Sequence, residues 1–171
     1  SDVYKRQDYD IEIPKVKATL REYQEYGYKW LSYLMDNNLG GCLADDMGLG
    51  KTLQAIALLT RLHSKKKKKS LVVMPKSLIY NWDGEIKKFS PGLKVGIYYG
   101  NFRNKDIIKK NEVILTTYGT VRNDIELIKD YYFDCVILDE SQNIKNVNAQ
   151  TTKAIMLLNC THSCLLYTSP S

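Results

Sequence analysis

The sequence predicts an α/β fold in which a parallel β-sheet carries helices on both faces, giving three layers. Three observations lead there. Short, continuously apolar runs (Leu71-Val72-Val73-Met74, Val113-Ile114-Leu115, Cys135-Val136-Ile137-Leu138) have the length and composition of strands buried on both faces. Segments with helical apolar spacing alternate with them, and that alternation implies crossover connections between parallel strands. A glycine loop, Asp45-Asp46-Met47-Gly48-Leu49-Gly50-Lys51-Thr52, joins the first apolar stretch, residues 40–44, to the first strongly apolar helix.

The 171 residues suffice for one domain with a real core. No apolar run approaches the roughly 20 residues that span a bilayer, and the polar start does not read as a signal peptide. The expectation is therefore no membrane partner and a cytoplasmic location. A net charge of +6 permits a nucleic-acid partner without requiring one. The cysteines form no C-x-x-C pair, and Cys42 and Cys135 lie inside apolar runs, so they read as reduced buried thiols. Cys160-x-His162-x-Cys164 lacks the four ligands of a zinc site.

Both ends are expected to be non-native. Residues 1–7 resemble a translated transposon-library sequencing adapter, and residues 164–171 resemble the same adapter read from the other strand. The natural segment would then be residues 8–163, one nucleotide-binding domain.

Within that segment, Thr19-Leu20-Arg21-Glu22 is a capping box that opens a helix with an apolar stripe through Tyr23, Gly27, Trp30, Leu31 and Leu34. Asn37-Asn38 and Gly40-Gly41 end it. A strand, the glycine loop and a helix through Leu53, Ile56, Ala57 and Leu59 follow. The run Lys65 to Lys69 sits past the far end of that helix. It is expected to be a solvated loop at the sheet edge opposite the loop. Pro75 ends the next strand, and Ser77 is expected to cap a helix with the stripe Leu78, Ile79, Trp82, Ile86 and Phe89. Then come a strand over residues 94–99, a polar loop, a short helix over residues 106–110 and a strand over residues 113–117. A helix is expected over residues 120–130, a strand over residues 135–138 closed by Asp139-Glu140, and a helix over residues 149–158.

The chemistry sits in two places. A glycine loop opening a helix aims backbone N–H groups and a helix N-terminus at one spot, which suits phosphate. Lys51 adds a point charge for β- and γ-phosphates, and the Thr52 hydroxyl can ligate Mg²⁺. The first position of the general P-loop pattern is glycine, and here it is Asp45. An apolar strand ending in Asp139-Glu140 supplies what such a loop needs from a neighbour. Asp139 would bind Mg²⁺, usually through water, and Glu140 would orient and polarise the attacking water.

Taken together these segments resemble the first RecA-like lobe of superfamily-two helicases, in the Swi/Snf-type branch of DNA-dependent ATPases. Leu20-Arg21-Glu22-Tyr23-Gln24 with Gly27, Trp30 and Leu31 resembles that branch's adenine-recognition segment. Asp45 to Thr52 resembles its P-loop, which tolerates Asp in the first position. Val72 to Leu78 with Asn81-Trp82 resembles motif Ia and its tail, Leu115 to Tyr118 the next nucleic-acid motif, and Asp139 to Asn146 motif II, with Ser141-Gln142 in place of the commoner Ala-His. The resemblance implies a RecA-like P-loop NTPase lobe that uses ATP and Mg²⁺. Gln24, Asp46, Met47, Gly48, Leu49, Gly50, Lys51 and Thr52 would bind ATP, with Gln24 on the adenine edge. Lys51, Asp139 and Glu140 would carry catalysis, and Thr52 and Asp139 would hold the metal. Lys76, Ser77, Thr116 and Thr117 would contact the phosphates of double-stranded DNA.

The resemblance also implies missing parts. The family's motif III should follow Leu158, and its strand belongs between the P-loop strand and the Asp139 strand. Leu165-Leu166-Tyr167-Thr168 is apolar enough to fill that position. A second RecA-like lobe, with an arginine finger, would complete the site, and a DNA-bound protein is a further partner of such motors. The expected parent is a double-stranded-DNA translocase, and this chain alone should bind nucleotide weakly and hydrolyse it negligibly. The alternatives are an RNA helicase of another branch and a non-enzymatic interaction domain with a degenerate P-loop. Trp30-Leu31 and Asn81-Trp82 speak against the first, and intact Lys51, Thr52, Asp139 and Glu140 against the second.

Overall fold

A computed structural model describes residues 41–44, 50–65, 67–140 and 149–167. The expected capping-box helix, Gln24 and the loop residues 45–49 lie outside the described residues. Among those described, the chain alternates strands and helices in the expected order. The strands are β1 (Gly41–Ala44), β2 (Ser70–Met74), β3 (Val95–Ile97), β4 (Val113–Thr117), β5 (Tyr132–Glu140) and β6 (Asn159–Tyr167). The helices are α1 (Lys51–His63), α2 (Ile79–Phe89), α3 (Lys105–Lys110), α4 (Tyr118–Asn123), α5 (Ile125–Ile128) and α6 (Ala149–Met156).

The strands form one sheet in the order β1-β6-β5-β2-β4-β3, and every pairing is parallel. Side chains of a strand alternate between faces, so the central strands β2, β4 and β5 feed two cores. Val72 and Met74 of β2, Leu115 of β4 and Ile137 of β5 pack under α1 and α2, against Ile56, Leu59, Ile79, Trp82 and Ile86. Leu71 and Val73 of β2, Ile114 of β4 and Val136 of β5 pack on the other face with Ile108, Val121, Ile128 and Ala154 from α3, α4, α5 and α6. This is the three-layer arrangement expected from continuously apolar strands.

β6 fills the position between β1 and β5, pairing Leu43 with Leu166 on one side and Ile137 with Cys164 on the other. It is longer than the sequence suggested, starting at Asn159, and Thr168 lies outside the described residues. Cys164 and Leu166 join the core under α1.

Four local expectations need correction. Ser77 does not cap α2. A 3₁₀ turn over Lys76–Leu78 intervenes, and the residue preceding α2, Leu78, offers no side-chain cap. The strand expected over residues 94–99 shortens to β3, although bonding to β4 extends one residue past each end, with Val113 N–H on Lys94 O and Tyr98 N–H on Leu115 O. The single helix expected over residues 120–130 is two, broken at Asp124, whose ψ of 19° departs from helical geometry. The lysine run is not wholly solvated. Lys67, Lys68 and Lys69 line a recess at the amino ends of the strands with Lys94, Lys109 and Lys110. The half-buried Lys69 ammonium donates to the carbonyls of Ile108 and Asn111, and burial lowers its pKa.

Candidate nucleotide site

The site is built at the carboxyl edge of the sheet, where α1 begins and β5 ends. Gly50 precedes α1 with φ 91°, a left-handed conformation that suits glycine. No side chain caps α1, and no acidic residue occupies its first turn. Among the described residues, then, no side chain caps the leading N–H groups of this 13-residue helix, an arrangement that suits an anion. Thr52 follows Lys51 in that first turn, half-buried.

Lys51 is buried, with its side chain 5% exposed, and its Nζ lies 2.7 Å from Oδ1 of Asp139, itself 1% exposed. The pair joins the start of α1 to the end of β5 across 88 positions of sequence. The other carboxylate oxygen of Asp139 accepts the indole N–H of Trp82 at 2.9 Å. The Tyr118 hydroxyl donates to the Asp139 main-chain carbonyl at 3.0 Å. Asp139 is therefore held by three elements, α1, α2 and α4. Glu140 is the last residue of β5, paired with Tyr167; its side chain lies outside the described residues. Sequence reading placed Trp82 in an apolar stripe and, by resemblance, in the tail of motif Ia, with no contact to Asp139 foreseen. Its N–H had to find a partner once buried, which was the available signal, but not which one.

A buried cation and carboxylate beside an uncapped helix start fit a polyphosphate with its metal. Lys51 has the charge for phosphate oxygens, and Asp139 with Thr52 offers the hard oxygen ligands that Mg²⁺ takes. Among the described residues no group of three or more His, Cys, Asp or Glu side chains forms a metal cluster.

The candidate DNA contacts divide. Lys76 and Ser77 are exposed at the carboxyl end of β2. Lys76 borders a recess of about 390 Å³ with Tyr99, Gly100, Arg103, Thr117 and Asn123. Thr116 is fully buried, and its hydroxyl donates to Tyr98 O at 2.8 Å. Thr117 accepts from Thr120 N–H and shares a hydroxyl hydrogen bond with Thr120, capping α4. Both threonine hydroxyls are thus engaged within the fold, while Thr117 still lines the recess that Lys76 borders.

The recess has a rigid rim. Arg103 donates through Nε and Nη2 to both oxygens of Asp124, at 2.7 and 3.1 Å, and the Tyr98 hydroxyl donates to Oδ2. The Arg103 guanidinium holds the Asp124 carboxyl below its usual range. Burial, then the carboxylate, pushes the Tyr98 phenol up to about 12. A carboxyl with a depressed folded pKa stabilises above its unfolded value and loses that contribution as pH falls through the folded value. Asp124→Asn should therefore cost about 1.5 kcal/mol near neutral pH, at the low end for charged hydrogen bonds because both side chains keep a solvent-facing edge. Urea unfolding at stepped pH should show the gap to the unmodified chain closing on acidification below the ordinary aspartate range.

The sequence model of the SNF2-related domain matches residues 23–171. The chain belongs to that family. Helicase swr1 of Schizosaccharomyces pombe is 39% identical over 170 residues, covering 94% of this chain and 13% of that protein. An uncharacterised ATP-dependent helicase of Mycoplasma genitalium, MG018, is 44% identical over 140 residues, covering 79% of this chain and 14% of that protein. The chain thus spans less than a fifth of these relatives. Among solved structures, the SWI2/SNF2 ATPase core of Sulfolobus solfataricus in complex with dsDNA superposes with a TM-score of 0.85 at 36% identity, covering 94% of this chain and 34% of that one. A second structure, the SWI2/SNF2 ATPase core domain of Sulfolobus solfataricus, gives 0.82 at 35% identity, covering 92% and 32%. At this identity the SNF2-related lobe shares both fold and sequence with its neighbours, so the RecA-like architecture follows.

Proposed function

We infer that this SNF2-related chain is the ATP-binding lobe of a longer ATP-dependent translocase on double-stranded DNA. The observation that carries the reading is the buried Lys51–Asp139 pair set beside the uncapped start of α1. A polyphosphate entering there meets the α1 amides and the Lys51 ammonium, which exchanges its carboxylate partner for phosphate oxygens. The metal, held by Thr52 and Asp139, would neutralise charge on the transferring phosphoryl group. Glu140, next along β5, orients the water and accepts its proton. Gln24 is assigned to the adenine edge and residues 46–49 to the phosphates by family resemblance.

DNA is assigned to the same carboxyl edge, with Lys76 and Ser77 as the exposed backbone contacts. Contacts of this type grip phosphate and position the duplex without reading sequence. A second RecA-like lobe is needed to stabilise transition-state charge from the far side, so the isolated chain should not turn over. A DNA-bound protein displaced or remodelled by the motor is the further partner proposed. Residues 1–7 and 164–171 remain proposed as non-native flanks.

The test is ATP hydrolysis by the full-length parent with duplex DNA, RNA or neither. Stimulation by duplex DNA alone is expected. Stimulation by RNA alone would make it an RNA helicase, and activity in cells unaffected by Lys51→Ala would make it an interaction domain. DNA-stimulated turnover by the present chain alone would overturn the requirement for a second lobe.

A further inference from the structure

We propose that Trp82 is a positioning residue for the metal-binding carboxylate, holding Asp139 through its indole N–H while Lys51 is engaged elsewhere. The proposal rests on the nucleotide reading above. Trp82 lies in α2, is fully buried, and packs in the core shared by α1, α2 and the sheet. A core position of that kind needs only volume, which a residue without a polar atom could fill. Here the single polar atom of the side chain is aimed at Oδ2 of Asp139, 57 positions away, at 2.9 Å.

The division of oxygens gives the arrangement its meaning. Oδ1 faces Lys51 and Oδ2 faces Trp82. When phosphate draws the Lys51 ammonium away, Oδ1 is released toward the metal. Oδ2 keeps its donor, so the carboxylate plane cannot swing about the Cβ–Cγ bond. An indole N–H cannot accept a proton or follow the phosphate, so unlike Lys51 it holds its partner through the whole cycle. Partners that orient metal-ligating carboxylates are worth about 10–100-fold in metal affinity or activity when removed. Tyr118 holds the main chain of the same residue, which fixes where Asp139 is but not how its carboxylate is turned.

The experiment uses the full-length parent with Trp82→Phe and, separately, with the benzothiophene analogue of tryptophan placed at position 82. The analogue keeps the bicyclic shape and replaces N–H by sulfur, so it serves even if the phenylalanine variant packs poorly. A fluorescent ADP is titrated with and without Mg²⁺. The expected result is unchanged metal-free affinity and an approximately tenfold loss of the Mg²⁺-dependent gain in affinity in both variants, with half-saturating Mg²⁺ for hydrolysis raised about as much. A purely packing role would leave the analogue indistinguishable from tryptophan, and that result would overturn the proposal. If the unmodified protein shows no Mg²⁺-dependent gain in ADP affinity, the nucleotide reading fails before Trp82 is tested.

Discussion

Lys51→Ala in the full-length protein is expected to lower ATP turnover by about 100-fold or more, because it deletes the charge aimed at the transferring phosphoryl group. The same substitution should weaken the present chain. Asp139, 1% exposed in the unmodified chain, would lose its cation, leaving the Trp82 indole as its carboxylate partner among the described residues. Removing one partner of a buried ion pair typically costs about 3–5 kcal/mol, since the other charge stays buried and uncompensated. Denaturant unfolding should therefore show a large loss for Lys51→Ala. Most of it should return in Lys51→Met combined with Asp139→Asn, where no buried charge remains. A single Lys51→Ala variant as stable as the unmodified chain would mean the ion pair is not formed in solution.

Glu140→Gln should separate binding from chemistry. The amide keeps the size of the carboxylate and loses its basicity. Turnover by the full-length protein should fall by about 10²–10⁴-fold, the usual contribution of a general base. ATP affinity should stay near that of the unmodified protein, because the groups proposed to hold the phosphates are the start of α1, Lys51 and the glycine loop, not Glu140. The check is single-turnover hydrolysis beside equilibrium nucleotide binding. Parallel losses in both would place Glu140 among the binding groups instead.

The fold was legible where one residue property decided an element. Leu71 to Met74 and Cys135 to Leu138 are apolar on both faces, and only a strand covered on both sides suits them. β6 was legible for a less specific reason, since its slot needs only an apolar run beside Ile137 and Leu43. The Lys51–Asp139 contact was legible as two motifs expected to meet. What stayed hidden depended on partners distant in sequence. The helix break at Asp124 is accompanied by its hydrogen bonds to Arg103 and Tyr98, which no local pattern announces. Thr116 and Thr117 carry the residue type of a phosphate contact, but Tyr98 O and the start of α4 claim their hydroxyls first. Trp82 looked like core because it is core; its second role depends on where the end of β5 falls.

The place of β6 decides how the site transmits force. Among the described residues β1, which carries the glycine loop, has one strand neighbour, β6. A displacement of the loop can reach the Asp139 strand by two routes. One passes sideways through the backbone ladders of β6, and the other runs directly through the Lys51–Asp139 pair. The first is a stiff, permanent linkage. On the proposed function, the second would exist only while Lys51 has no phosphate to hold. Filling the site would thus remove one of two parallel tethers in this chain. Because every β6 residue paired with β1 (residues 164–167) falls in the flank proposed as non-native, the tether that remains in the parent protein would be whichever strand of its own fills that slot.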